Sequence, residues 1–147
     1  PADRPPPATK SKPSTARITI PAKRLRNRVS AWRTLRGTAT LSPGARAAGA
    51  TLRGVEVSVV KRTKNRRGKT TCRAFTGTKF AKRSKTCAAA NGRWVTAKGT
   101  ARWTLALKGL GRGTYVVRVR AVNSDGVRQT QFKTGTNRLA LKLTRLR

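Results

Sequence analysis

The chain has 147 residues, which is enough for about one domain with a core of ordinary size. Its 36 lysine and arginine residues outweigh three acidic residues, and the formal net charge of +33 attracts any polyanion. The chain contains no histidine, few carboxylates and no long apolar run, which excludes a four-ligand zinc site, ordinary acid–base catalysis and a membrane span. A solvated arginine-rich surface that reflects codon usage alone is the alternative explanation of the charge.

The proline-rich start differs in composition from the rest of the chain. Residues 1–16 contain five of the seven prolines and no large apolar side chain. Such a segment cannot bury enough surface to offset its ordering entropy, so we predict an extended leader or linker before a single domain at residues 17–147. A short first strand is predicted at residues 17–22, with Ile18 and Ile20 on one face.

Two further strands are predicted before residue 61. An irregular connection at residues 23–33 leads into residues 34–41, whose inward side chains are small or apolar and suggest close approach of two sheets: Leu35, Gly37, Ala39 and Leu41. A turn-rich loop at residues 42–50 comes next. Residues 52–60 then give the plainest strand pattern, with a valine face formed by Val55, Val57 and Val59.

The segment from residue 61 to residue 87 is the most basic part of the chain, with eleven lysines and arginines and no acid. Basic residues beside aromatic ones are typical of a nucleic-acid surface. However, Phe75 and Phe80 lie between Cys72 and Cys87, and we interpret them as a small satellite core. The two cysteines are either free buried thiols or a disulfide, and a disulfide across ~15 residues would stabilise the fold by roughly 3 kcal/mol and imply an oxidising compartment.

We predict that this basic segment and the C-terminal strand carry the contacts to a polyanion or partner. Residues 61–69 have the composition of a loop tip, with Asn65 and Gly68 at the turn. The candidate binding residues are Lys61, Arg62, Lys64, Arg66, Arg67, Lys69, Lys82, Arg83, Lys85, Arg145 and Arg147.

The remaining signals are those of strands and turns. Asn91-Gly92 is a hairpin turn signal, and Trp94 is expected to cover the core edge or the disulfide. Residues 103–125 contain two alternating runs joined by a glycine-rich corner, which predicts two antiparallel strands. Residues 136–145 favour a last strand, with a helix as the alternative. The pattern of about seven strands without a clear helix predicts an all-β sandwich of Greek-key type.

One alternating run resembles the strand E to strand F segment of immunoglobulin-like and fibronectin type III-like domains, on Leu110, Gly113, Tyr115, Val117, Val119 and Ala121. The wider pattern resembles immunoglobulin-like modules of secreted and cell-surface actinobacterial proteins, on residues 36–39, 54–59, 72–77, Phe80, Cys87, Trp94 and 103–105. The resemblance implies that the Tyr115 hydroxyl bonds the backbone upstream, as a tyrosine corner. Thr40 and Asn123 stand where such modules carry acids, so no calcium role is implied. Cys72 and Cys87 would staple an insertion and not the two sheets.

The residues point to binding and not to catalysis. Glu56 is expected to pair with a neighbouring arginine, and Asp125 belongs to a turn; no catalytic, cofactor or metal residue is assigned. We therefore expect a non-catalytic secreted module with a structural, adhesive or assembly role at the cell surface. Its partner would be an anionic wall polymer, an acidic protein surface or another subunit. The alternatives are a sequence-independent nucleic-acid-binding protein and an accessory domain of a larger secreted enzyme.

Overall fold

The structure, a computed structural model, describes residues 10–83 and 85–147. Within these ranges the chain forms nine strands, of which seven have four or more residues: β1 Thr15–Ile18, β2 Thr34–Thr40, β3 Leu52–Lys64, β4 Thr70–Ala74, β5 Val95–Thr96, β6 Lys98–Gly99, β7 Arg102–Ala106, β8 Gly113–Asn123 and β9 Arg138–Leu143. The helical elements are short: a 3-10 helix at Lys23–Leu25, α1 Val29–Trp32, α2 Pro43–Ala47 and α3 Cys87–Asn91.

The strands form two antiparallel sheets. Sheet 1 has the order β1-β2-β7-β6, and sheet 2 has the order β4-β3-β8-β9, with β5 added to the edge of β3. The largest fully buried side chains of the main core include Trp32, Leu35, Trp103 and Tyr115. The predicted all-β, sandwich-like class is confirmed, and no helix in the described part of the chain is long and apolar enough to cross a bilayer.

The two strands predicted within residues 103–125 are present, but they do not pair with each other. β7 pairs with β2 in sheet 1, and β8 pairs with β3 and β9 in sheet 2. The glycine corner between them, with Gly109 at φ +84°, carries the chain from one sheet to the other. Alternation specifies which residues face inward but not which strand lies alongside, so the pairing was beyond the sequence pattern.

The inward glycine of β2 has a specific neighbour. Gly37 lies directly across from Trp103 of β7, and a Cβ on Gly37 would overlap both the Trp103 indole and the Arg17 carbonyl oxygen. The Trp103 indole nitrogen donates to the Thr38 carbonyl oxygen at 3.1 Å, which fixes the ring. The small residue therefore makes room for a ring in its own sheet, and not for close approach of the opposite sheet as expected.

Short helices replace loops that the sequence suggested. Ser42 caps the N-terminus of α2: its hydroxyl accepts a hydrogen bond from the Ala45 amide at 3.0 Å, and a proline follows in the first turn. Thr86 caps the N-terminus of α3, and its hydroxyl accepts a hydrogen bond from the Ala89 amide at 3.3 Å. The prediction of a hairpin at Asn91-Gly92 is wrong, because Asn91 ends α3 and Gly92 caps it.

The fold begins before the predicted boundary at residue 17. Residues 1–9 of the predicted leader lie outside the described residues, but Ser11 and Ser14 are buried and β1 starts at Thr15. The Ser14 hydroxyl donates to the Asn123 side-chain oxygen at 2.6 Å, and the Ser11 amide and hydroxyl donate to the Asp125 carboxylate at 2.8 Å. Polar contacts, which composition does not reveal, thus order this segment.

Two strand predictions need only a change of length. β3 runs to Lys64, beyond the predicted end at residue 60, because it pairs with β4 to make a long hairpin. β9 is a strand and not the alternative helix. Leu141 and Leu143 of β9 are buried in the main core, as the alternation predicted.

A candidate anion-binding groove

The β3–β4 hairpin carries six of the predicted binding residues. At its tip the Asn65 side-chain oxygen accepts hydrogen bonds from the amides of Arg67 and Lys69, both at 2.9 Å, and Gly68 has φ +78°. Such a side-chain-to-backbone turn holds the loop without using any charged group. The turn predicted at Asn65 and Gly68 is confirmed, and the basic side chains around it are exposed.

The predicted disulfide between Cys72 and Cys87 is present. Cys72 belongs to β4 and Cys87 begins α3, so the bridge ties this helix to the outer face of sheet 2, away from the main core. Val60 and Ala74 of the sheet pack there against Ala90 of the helix.

The two phenylalanines of the cystine loop have a different role from the one expected. Phe75 is buried in the main core, and Phe80 packs against it with ring centroids 5.2 Å apart. The Phe80 ring also lies 5.5 Å from that of Tyr115. They therefore extend the main core, and the satellite cluster under α3 is aliphatic.

Lys61 lies in β3 at the base of the hairpin, and the five predicted residues outside the hairpin lie in separate segments. The Lys61 ammonium group lies 5.9 Å from the centre of the Tyr115 ring. Lys82, Arg83 and Lys85 are exposed in the cystine loop. Beyond β9, Arg145 pairs through its backbone with the segment at Arg28, and Arg147 is the exposed last residue.

A groove on the outer face of sheet 2 brings Arg62, a predicted binding residue, together with two arginines that were not predicted to bind. It has a volume of about 320 Å³, and three of the residues that line it are arginines: Arg62 of β3, Arg118 of β8 and Arg138 of β9. Arg118 and Arg138 are direct cross-strand partners. Like charges in such positions repel each other, so this pair favours an anion between or above them. The groove is completed by the disulfide, Asn91, Val116 and Phe132.

Arg118 is held in place by its surroundings. Its guanidinium donates a hydrogen bond to the Asn91 carbonyl oxygen at the end of α3. The guanidinium carbon lies 4.9 Å from the centre of the Trp94 ring and 5.3 Å from that of Phe132, and the two rings stack at 5.9 Å. Burial lowers the pKa of Arg118, and the charges of Arg138 and Arg120 lower it further.

Glu56 neutralises a different pair of arginines. Its carboxylate accepts hydrogen bonds from Arg120 at 2.8 Å and Arg128 at 2.9 Å, as expected of an acid beside an arginine-rich strand. Burial would raise the pKa of Glu56, but these hydrogen bonds and charges outweigh it and lower the pKa. No carboxylate among residues 10–83 and 85–147 forms an ion pair with the groove arginines, so their charge is not compensated there.

The sequence pattern gave part of this site. Alternation along β8 places Arg118 and Arg120 on the face opposite Val117 and Val119, which is the outer face. It did not connect them with Arg62 and Arg138, because that needs the strand order of sheet 2. Trp94, expected at the core edge or on the disulfide, instead stacks under the Arg120 guanidinium, whose carbon is 3.9 Å from the ring centre.

The Tyr115 hydroxyl lies at the glycine corner. It donates to the Gly111 carbonyl oxygen at 2.9 Å and accepts from the Gly111 amide at 3.3 Å. These are contacts to the upstream backbone, as a tyrosine corner requires. Burial raises the pKa of Tyr115, although the hydrogen bond from the Gly111 backbone lowers it in part.

In the described part of the chain, no three histidine, cysteine or acidic residues are grouped so that they could hold a metal ion. The chain matches no family model, and no curated protein or solved structure is significantly similar to it.

Proposed function

We propose that this chain is a non-catalytic, immunoglobulin-like module that binds an anionic polymer at the cell surface, in a structural or adhesive role. The strand order supports the Greek-key part of this proposal. If β1 and β2 are strands A and B, and β3 is strand C, then β6 to β9 take the places of D, E, F and G. Sheet 1 then has the immunoglobulin order A-B-E-D, and sheet 2 contains C-F-G with β4 as an added edge strand.

The groove carries the binding part of the proposal. Arg62, Arg118 and Arg138 line one groove, and none of them forms an ion pair with a described carboxylate. Arg62 and Arg138 are exposed, whereas Arg118 is half-buried, and its uncompensated charge favours binding of a counter-charge. The exposed basic hairpin continues from Arg62, so a long anionic chain held in the groove would extend along it.

The aromatic residues favour a polymer without bases over a single-stranded nucleic acid. All seven aromatic side chains lie in the described ranges, and none is exposed. Trp94 and Phe132, the rings nearest the groove, stack on each other and on arginines. Binding of single strands usually relies on free rings that stack successive bases. The disulfide further supports an oxidising, extracytoplasmic location.

The test compares poly(glycerol phosphate) with single- and double-stranded DNA, each at the same total concentration of phosphate groups. We expect retention on all three to fall with salt between about 50 and 200 mM, since phosphate contacts release counterions. We also expect the tightest binding to poly(glycerol phosphate). Retention that does not change with salt, or preference for either DNA, would contradict the proposal.

A further inference from the structure

We propose that Arg62, Arg118 and Arg138 form a site for a single phosphate group, through which the polymer of the proposed function is held in register. This inference rests on that function but names the chemical group recognised. The three guanidinium groups project from adjacent strands of sheet 2, in the order β3, β8, β9. The groove that these arginines help to line has a volume that suits a phosphate and the few polyol carbons joined to it.

Arginine is suited to this role because its planar fork donates two parallel hydrogen bonds to phosphate oxygens. Arg118 uses a donor on the Asn91 carbonyl, which leaves other N–H groups of the guanidinium available. Its stacking on Trp94 and Phe132 fixes the plane of the fork. A donor that is already oriented loses little entropy when the anion binds, and this distinguishes Arg118 from Arg62 and Arg138, which are exposed.

The number of cations favours phosphate over carboxylate. A carboxylate presents two oxygens, whereas a phosphate ester presents acceptors in several directions and can meet three forks. Arg118 and Arg138 repel each other across the strand pair, and an anion that bridges them relieves the repulsion. Glucuronate is therefore the informative comparison ligand, since it carries a sugar and a negative charge but no phosphate.

The disulfide belongs to the site as well as to the fold. Cys72 and Cys87 line the groove, and α3, whose last residue is Asn91, starts at Cys87. A helix of five residues has little stability of its own, so the bridge and the packing of Ala90 keep the Asn91 carbonyl next to Arg118. Phosphate binding should consequently weaken when the disulfide is reduced under conditions in which the sheets stay folded.

The test is a titration of the ¹⁵N-labelled chain with glycerol 1-phosphate, observed at the arginine side-chain Nε–H signals. We expect saturable shifts at Arg118 and Arg138. The substitutions Arg118→Lys and Arg138→Lys keep the net charge but remove the fork, and each should weaken binding about tenfold, the loss expected for one charge-assisted hydrogen-bond pair. Arg36→Lys is the matched control on the exposed outer face of sheet 1, and it should bind as wild type does.

Several results would overturn the site. These are equal affinity of both lysine variants and wild type, shifts that spread over all arginines without saturation, or binding of glucuronate as tight as that of glycerol 1-phosphate. Thermal melts of each variant identify any that fails to fold. Retention on poly(glycerol phosphate) is measured in parallel. If the wild-type protein is not retained on this polymer, the proposed function is contradicted. If it is retained but the lysine variants bind glycerol 1-phosphate as tightly as wild type does, only the phosphate site is contradicted.

Discussion

The two sheets differ in how their outer faces meet solvent. β2 of sheet 1 alternates exposed and buried residues over its whole length. β3 of sheet 2 is buried on both faces from Gly54 to Val60, with Glu56 partly exposed. The difference arises because α3, the disulfide and Trp94 cover the outer face of sheet 2, while the threonines and Arg36 of β2 point into water.

The comparison shows what turns a basic surface into a candidate site. Both sheets carry arginines on their outer faces, so the number of charges does not distinguish them. Arg36 on sheet 1 is exposed, whereas Arg118 on sheet 2 is half-buried, stacked on two rings and bonded to Asn91. A fixed and desolvated guanidinium binds an anion more strongly than a hydrated one. The first prediction therefore disrupts the covering layer of sheet 2, which consists of α3, the disulfide and Trp94.

The largest effect is expected from the double substitution Cys72→Ser, Cys87→Ser, which detaches the cover from sheet 2. The bridge spans 15 residues, and its loss should lower the free energy of unfolding by about 3 kcal/mol. Denaturant unfolding of wild type and variant, each with and without a reducing agent, measures this. The reducing agent should destabilise wild type alone, and equal stability of the two proteins would show that packing suffices to hold α3.

Two glycine-to-alanine substitutions, one in each sheet, test the close contact between Gly37 and Trp103. In Gly37→Ala the new methyl group would overlap Trp103 and the Arg17 carbonyl, and we expect a loss of about 2 kcal/mol from overpacking. In the control Gly54→Ala of sheet 2, the methyl group meets no atom within 4 Å. Thermal or denaturant unfolding should leave the control near wild type, and a similar loss in both variants would contradict the role assigned to Trp103.

Glu56→Gln tests the electrostatics of the covered face. The substitution should lower the free energy of unfolding near neutral pH by about 1 kcal/mol, a value appropriate to a partly exposed ion pair. The lowered pKa of Glu56 gives the sign of the pH dependence. The contribution is present in full well above the ordinary pKa of 4.5 and is lost as pH falls below it, through the lowered folded value.

The difference in stability between wild type and Glu56→Gln should therefore shrink on acidification. Chemical unfolding from neutral pH down to about pH 3 measures this. Glu56 binds Arg120 and Arg128 and not the groove arginines, so the titration with glycerol 1-phosphate gives a separate readout. A stability difference that stays constant with pH would mean that the ion pair does not form in solution.

The sequence predicted those features that depend on local pattern. Alternation identified the inward residues of β2, β3 and β8, and residue chemistry identified the turn at Asn65 and Gly68. Excluding a metal site and a thiol–imidazole pair left a disulfide or two free thiols for the two cysteines, and the structure contains the disulfide. Each of these inferences uses residues close together in the chain or a choice among few alternatives.

The features that it missed depend on long-range placement. β7 and β8 have the same pattern whether they pair or lie in different sheets. Ser11 and Asp125 are more than a hundred residues apart, so nothing local indicates that one orders the other. The groove likewise combines side chains from β3, β8 and β9. Of the three arginines that line the groove, only Arg62 comes from the most basic segment of the chain.

The smallest effect is expected from Ser58→Ala, in the middle of the covered face. Ser58 is 1% exposed, it lies across from Arg118, and its hydroxyl has no hydrogen-bond partner among the described residues. A buried polar group without a partner is unfavourable, so its removal should leave stability unchanged or raise it by up to about 1 kcal/mol.

Ser14→Ala is the matched control, because Ser14 is equally buried but its hydroxyl donates to the Asn123 side-chain oxygen. The control should lower the free energy of unfolding by about 1 kcal/mol, since this Asn123 oxygen loses a hydrogen bond. If Ser58→Ala instead loses as much as the control, the Ser58 hydroxyl has a bound water as its partner, and the covering layer of sheet 2 is wetter than its side-chain packing indicates.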